Sequence, residues 1–199
     1  MFINSKKAFT LVEVLVSLSI ITAILSVVMW NYGGFNDRLA LTGSGQELAI
    51  AIRQAQTYGL TVKEVGIGSG QFNYAYGIYF NPTISPSDYY VFVDSNANKI
   101  YDVGSGCGSG STECVEKFSL RNNVKITSIC DGLSCPPVAS AKSLDVTFLR
   151  PNPDATINFT DGVGNIVTSS SVRGKVIMTS PKGMTLTVTI ESTGQILVQ

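Results

Sequence analysis

Apolar residues are concentrated in one long run near the start of the chain. Residues 9–30 read FTLVEVLVSLSIITAILSVVMW, in which Glu13 is the single charge, and residues 14–36 contain no charged side chain. At about 1.5 Å per residue, a helix formed by this uncharged stretch covers the roughly 30 Å hydrocarbon core of a bilayer. The pattern therefore predicts a membrane-spanning helix over residues 9–32.

A second, amphipathic stretch continues to residue 60. Gly33 and Gly34 disfavour helix, so we expect a kink or local melting there. Beyond them, small or apolar residues recur every three or four positions, which predicts one buried helix face over residues 33–60. That face consists of Leu41, Gly45, Leu48, Ile52, Ala55 and Gly59, with Gln46, Glu47, Arg53, Gln54 and Gln56 lying off it.

Residues 61–199 alternate short apolar runs with turn residues, which is typical of strands. Strands are predicted at residues 74–80, 89–94, 124–129, 144–149, 175–179, 184–190 and 195–198. Within residues 185–190, Thr alternates with aliphatic residues, which indicates one face on a core and one in water. The fold class is therefore α+β, a long N-terminal α-helix packed on antiparallel β-sheet, with residues 61–199 forming a β-rich globular domain.

Composition narrows the function classes. The 199 residues include 14 Lys and Arg, 14 Asp and Glu, and no His. A His-based triad or a His-ligated metal centre is excluded, and no nucleophile has an identifiable base, so we expect no enzymatic activity. The neutral balance also argues against DNA as a partner, because phosphate contacts dominate DNA affinity.

Two ordinary interpretations of the apolar run leave something unexplained. Lys6 and Lys7 place its N-terminus in the cytoplasm by the positive-inside rule. A secretory signal would end in a small-x-small cleavage site, which residues 29–32 do not offer. An uncleaved anchor accounts for the length and the lysines but not for Glu13, since a carboxylate in a membrane span is costly.

Residues 6–13, KKAFTLVE, resemble the class III leader junction of type IV prepilins and pseudopilins. The resemblance implies that residues 1–8 are a leader peptide, that prepilin peptidase cuts between Ala8 and Phe9, and that it methylates the new amine of Phe9. Where this chain has Ala8, the family usually has Gly. Glu13 becomes the fifth mature residue, and we expect it to meet the Phe9 amine of a neighbouring subunit, because a buried charge is tolerated when paired.

The resemblance implies a minor pilin or pseudopilin, assembled into a type IV pilus or a type II secretion pseudopilus. Its implied partners are prepilin peptidase, other pilins or pseudopilins in a helical filament, an inner-membrane assembly platform with its ATPase, and membrane lipid before assembly. The implied location is the bacterial inner membrane, with a single pass, and then a periplasmic or cell-surface filament. Residues 47–55, 91–96 and 187–198 are similar to the GspH/FimT branch. The alternatives are a DNA-capturing minor pilin and an uncleaved membrane-anchored adhesin.

The four cysteines cluster beyond the apolar run, on the oxidising side of the membrane if the lysines orient the helix. An even number there favours disulfides, and three pairings are open. We prefer the local pairing, Cys107 with Cys114 and Cys130 with Cys135. A four-cysteine zinc site is the alternative, but these spacings fit zinc knuckles poorly.

Residues 94–102, DSNANKIYD, repeat part of the spacing of a calcium-binding loop. However, position 6 is Lys99 rather than Gly, and position 12 is Ser105 rather than Glu. Turns rich in Asp and Asn are common without metal, because these side chains hydrogen-bond their own backbone. We therefore favour a structure without cofactor and keep a calcium ion as the alternative, with ligands from Asp94, Asn96, Asn98 and Asp102.

Overall fold

The structure, a computed structural model, describes residues 9–61, 70, 73–102, 107, 113–132, 135 and 140–199. The chain divides into two compact units, Met1–Asn36 and Asp37–Gln199. One helix, α1 (Leu11–Leu60), contributes residues to both. The boundary between the units therefore falls inside the helix, between Asn36 and Asp37.

The first unit is an apolar helical segment with almost no buried surface of its own. Its large side chains, such as Leu15, Ile20 and Trp30, are exposed on the isolated chain. By length and composition this helix could cross a membrane. The helix starts at Leu11, two residues later than predicted, and helical hydrogen bonding continues through Gly33 and Gly34, so the predicted local melting there is wrong.

In the second unit, the helix packs one face on the sheets. Leu41, Leu48, Ile52 and Ala55 are buried, as the spacing predicts. At Gly59 a Cβ atom would collide with the carbonyl oxygen of Phe148, so only glycine allows this close approach. The prediction that Gln56 lies off the buried face is wrong, because the structure buries Gln56. Its amide nitrogen donates to the carbonyl oxygens of Pro153 and Gly194, at 3.2 Å each.

Ten strands follow the helix in the part of the chain that the structure describes. They are β1 (Ala75–Phe80), β2 (Asp88–Asp94), β3 (Cys114–Ser119), β4 (Lys125–Cys130), β5 (Ser143–Phe148), β6 (Ala155–Thr160), β7 (Ile166–Thr168), β8 (Arg173–Thr179), β9 (Thr185–Glu191) and β10 (Ile196–Val198). They form a six-stranded sheet, in the order β3-β2-β1-β5-β6-β7, and a four-stranded sheet, in the order β10-β9-β8-β4. Every pairing is antiparallel. The α+β prediction is confirmed.

The helix and the inner faces of both sheets share one hydrophobic core. Ile78, Val146 and Ile157 from the large sheet and Val176 and Val188 from the small sheet are completely buried in it. A second cluster lies on the outer face of the large sheet and joins Tyr79, Phe92, Tyr101 and Cys114. Because alternate residues of a strand point to opposite faces, Ile78 and Tyr79 enter different clusters. The connection between β2 and β3 supplies Tyr101 and so packs against the outer face.

Candidate functional site

The first turn of the apolar helix carries the residues predicted for processing and assembly. Phe9 and Glu13 are described and exposed, whereas Lys6, Lys7 and Ala8 lie outside the described residues. The Oγ1 atom of Thr10 accepts a hydrogen bond from the backbone N–H of Glu13 at 3.2 Å. Thr10 is thus the N-cap of the helix, and Glu13 is its third residue.

Sequence reasoning missed this cap. Thr10 and Glu13 are spaced as in a capping box, in which a Ser or Thr precedes a Glu by three residues. The carboxylate of Glu13 also stands in the first turn of the helix, where the helix dipole favours negative charge. The helix dipole thus stabilises the charge of Glu13 at this position, and the bond to Thr10 stabilises the start of the helix.

Four hydroxyl groups of the apolar segment are paired within the helix. Ser17, Ser19, Thr22 and Ser26 each donate to a main-chain carbonyl oxygen three or four residues earlier, at 2.7 to 3.0 Å. In hydrocarbon an unpaired hydroxyl would cost free energy, and these bonds remove that cost for the four side chains.

Comparison with known families agrees with this geometry at the same place. Residues 3–29 match the family model described as a prokaryotic N-terminal methylation motif. The segment is an N-terminal methylation motif. No curated protein and no solved structure matches the chain.

The methylation motif indicates a prepilin peptidase substrate of the type IV pilin or pseudopilin kind. It also indicates a structural subunit rather than an enzyme, and it fits anchoring in a membrane before assembly. The motif covers residues 3–8 and most of the apolar segment, and it includes no residue of the ten strands.

The predicted calcium loop forms a turn closed by its own hydrogen bonds. Asp94 accepts the backbone N–H groups of Asn98, at 3.0 Å, and of Lys99, at 2.9 Å. The side-chain amides of Asn96 and Asn98 donate to the two carboxylate oxygens of Asp102, at 2.6 and 3.2 Å. These amide groups present N–H groups to Asp102, where a calcium ion would require oxygen atoms.

Glu113 belongs to this turn, and sequence reasoning missed it. Its carboxylate accepts hydrogen bonds from the backbone N–H and the hydroxyl of Ser95, at 2.9 and 3.0 Å, and from the N–H of Asp102, at 3.0 Å. Burial raises the pKa of Glu113 and of Asp94 above their ordinary values, and the N–H donors partly oppose that rise. The described residues contain no group of three or more His, Cys, Asp and Glu side chains suited to a metal ion.

Asp145 binds the β2–β3 connection to the outer face of the large sheet through hydrogen bonds. It lies on β5 with no exposed surface, accepts the backbone N–H of Tyr101 at 2.8 Å and accepts the hydroxyl of Thr160 at 3.2 Å. Burial raises the pKa of Asp145 to about 7. Nearby, Asn158 on β6 donates to the carbonyl oxygen of Lys99 at 3.0 Å.

The structure contains both disulfides of the local pairing. Cys107 is joined to Cys114 and Cys130 to Cys135, and no described cysteine is free. The first bond ties the β2–β3 connection to the start of β3, one residue after Glu113. The second closes a short loop that begins at Cys130, the last residue of β4.

Proposed function

We propose that the protein is a minor pilin or pseudopilin. Prepilin peptidase removes residues 1–8 and methylates Phe9, and the mature subunit enters the filament of a type IV pilus or a type II secretion pseudopilus. The observation that carries the proposal is the methylation motif at residues 3–29, together with Glu13 as the single charge among residues 9–36.

In this proposal Glu13 sets the axial register of the subunit. The helix presents Glu13 on its first turn, next to the position at which cleavage creates the Phe9 amine. In a bundle of such helices, the carboxylate of one subunit pairs with the amine of its neighbour. Pairing offsets the cost of holding either charge away from water.

The proposed partners and location follow from the same motif. Lys6 and Lys7 keep the N-terminus in the cytoplasm, where the peptidase cuts, and the sheet domain stands on the other side of the inner membrane. An assembly platform with its ATPase then moves the subunit into a periplasmic or cell-surface filament. We assign it to the GspH/FimT branch, on the support of two antiparallel sheets that follow the helix and of the closing β9–β10 hairpin.

Processing can be tested by intact mass and N-terminal sequencing of the protein from membranes of cells with prepilin peptidase. We expect a chain that begins at N-methylated Phe9. Cells without the peptidase serve as the control and should yield a chain that begins at Met1. A chain that begins at Met1 in both cases would contradict the proposal and favour the uncleaved adhesin.

The register role of Glu13 can be tested separately. We expect Glu13→Ala to be cleaved but absent from purified filaments, because the Phe9 amine of the neighbouring subunit loses its partner. Ser17→Ala, one helical turn later, is the matched control and should be incorporated normally. Incorporation of the Glu13→Ala subunit at the wild-type level would refute the register role.

A DNA-capturing minor pilin is the second candidate within the same class. The formal charge of the chain is balanced, and Arg150 and Arg173 lie at the opposite end of the sheets from Lys182. We therefore expect only weak binding in a gel-shift titration at low salt. Tight binding that falls steeply with salt would reverse this ranking.

A further inference from the structure

Several loops of the globular unit come together at one end of its sheets. The β1–β2 and β3–β4 loops are joined there, because Leu120 donates its N–H to the carbonyl oxygen of Ser87 at 2.7 Å. The β6–β7 turn joins them, since Gly162 lies against the side chains of Asn81 and Lys142. The β8–β9 turn, residues 180–184, lies at the same end, because Thr179 pairs with the first residue of β4.

The second half of the helix starts at this end. Gly45 packs against Leu186 near the start of β9, whereas Gly59 packs against Phe148 at the far end of β5. The helix therefore runs from these loops toward the opposite end of the sheets. Asp37, the first residue of the unit, follows the apolar segment directly in the chain, so the tether to the membrane span is attached at this end.

Unpaired basic side chains cluster at the same end. Among the residues that the structure describes, none of the following five forms an ion pair, and all are exposed: Arg38, Arg121, Lys125, Lys142 and Lys182.

Acidic side chains at this end offset part of this positive charge, since Glu47 is exposed on the helix close to Tyr89 and Asp161 is ionised in the β6–β7 turn. Asp88 is paired with Lys117 at 2.9 Å, and Asp37 is buried. Asp161 accepts hydrogen bonds from Val163 and Asn165 of its own turn. The opposite end of the large sheet carries the carboxylates of Asp94, Asp102 and Glu113 together with the basic groups of Lys99 and Arg150.

Two apolar side chains project from the basic end. Ile84 in the β1–β2 loop is 69% exposed, and Val163 at the tip of the β6–β7 turn is 84% exposed. Gly162 and Gly164 flank Val163 with φ angles of 81° and 103°, which shape a tight turn with the valine at its tip. Exposed aliphatic tips among unpaired cations are a combination suited to the interface of a bilayer.

We propose that this end of the globular unit docks on the surface of an anionic lipid bilayer while the chain is anchored by its apolar helix. The five cations contact lipid phosphates, and Ile84 and Val163 enter the headgroup region. Each basic side chain near an anionic surface adds to the attraction. The covalent link to the membrane-spanning segment keeps the unit near the bilayer, so docking carries no further entropic cost of bringing the two together. The docking requires only the anchored chain, so it holds whether or not the leader is removed and a filament is built.

The test uses the full chain reconstituted in vesicles, with a tryptophan probe and brominated lipids that quench it. Trp30 is the one native tryptophan, so Trp30→Phe is the background. Val163→Trp is the probe. Val172→Trp is the matched control, because Val172 is 72% exposed and its carbonyl oxygen accepts the N–H of Ser192, after the far end of β9. Ile84→Trp is a second probe at the basic end, should Val163→Trp not fold.

In vesicles with anionic lipid we expect strong quenching of the Val163→Trp probe and little of the Val172→Trp control. Lys142→Glu with Lys182→Glu should lower the docking equilibrium at least about fivefold per lysine, and high salt should lower it too. Equal quenching of probe and control, or quenching that is the same in zwitterionic vesicles, would overturn the proposal. It would also be overturned by an unquenched probe together with DNA binding that is lost in the same double variant, because the basic end would then serve nucleic acid.

Discussion

Asp145 is a fully buried carboxylate that receives one backbone N–H and one hydroxyl. Burial raises its pKa to about 7, from 3.8 in an exposed chain. The folded state therefore holds a proton more tightly than the unfolded state. The stabilisation from the Asp145 carboxyl is fully present below the pKa it has in the unfolded chain, and it is lost as the pH rises through about 7.

We accordingly predict that the domain melts at a higher temperature at pH 5 than at pH 8. Asp145→Asn should flatten much of this dependence, because the amide is neutral at both values and its oxygen still accepts the N–H of Tyr101. Asp94 and Glu113, whose pKa values are also raised, account for the remaining pH dependence of the melting temperature. Thermal unfolding followed by circular dichroism at both pH values checks this, and a wild-type melting temperature that rises with pH would contradict it.

Features that are local in the chain could be recognised from the sequence, whereas contacts between distant parts of the chain could not. Glu13 was recognised as a candidate because it is a lone charge in an apolar run, and its assembly role stays a prediction. Glu113 was not, because it lies 18 residues after Ser95, to which it is hydrogen-bonded. Gln56 looked like a surface residue by spacing, and only the fold shows that the carbonyl groups of Pro153 and Gly194 require a donor there.

At the scale of the helix, two glycines give opposite predictions. At Gly59 a Cβ atom would meet the backbone of Phe148, so Gly59→Ala should destabilise the domain by about 1–3 kcal/mol. At Gly43 a Cβ atom would meet nothing within 4 Å, so Gly43→Ala should stabilise it by up to about 1 kcal/mol. Denaturant unfolding of the solubilised full chain measures the free energy of unfolding of both variants. A Gly59→Ala variant as stable as the wild type would contradict the close approach of Gly59 to Phe148.

The β2–β3 connection gives a prediction about calcium. We expect the same melting temperature in millimolar calcium and in chelator, because backbone N–H groups and asparagine amides already satisfy Asp94, Asp102 and Glu113. A rise with calcium that disappears in Glu113→Gln would instead establish the calcium alternative and identify Glu113 as a ligand.

Strands that alternate strictly or stay wholly apolar were predictable, and others were not. The predictions for β1, β2, β4, β5, β8, β9 and β10 lie within two residues of the structure. β3, β6 and β7 were missed. β6 reads ATINFT and carries polar Asn158 and Thr160 on a face that the β2–β3 connection buries, so its pattern is not that of a half-solvated strand. β7 has only three residues and is recognisable only through its pairing with β6.

For the whole molecule, the disulfides should contribute to stability without determining the fold. They join cysteines only 7 and 5 residues apart, so each removes about 2 kcal/mol of unfolded-chain entropy. We predict that Cys107→Ser with Cys114→Ser lowers the melting temperature but leaves one cooperative transition. Scanning calorimetry measures this, and loss of the transition would mean that the β2–β3 connection is required for folding.

The fold class could be predicted from periodicity alone, since the α+β layout needs only the stripe of the helix and the alternation of the strands. Strand order could not, because β4 pairs with β8 across 50 residues of chain and no local signal records that. The methylation motif was recognisable from residues 6–13, since its pattern is local in the sequence.

Every residue of the main core lies between Leu41 and Ile190. Among the described residues, those buried in this core all belong to the second unit. In the proposed assembly, moving the apolar segment from lipid into a bundle of like helices changes the surroundings of the first unit, while the core of the second unit keeps its own packing. Such a subunit could therefore leave or re-enter the membrane without unfolding its second unit. The free energy of that transfer is set by the roughly thirty residues of the apolar segment.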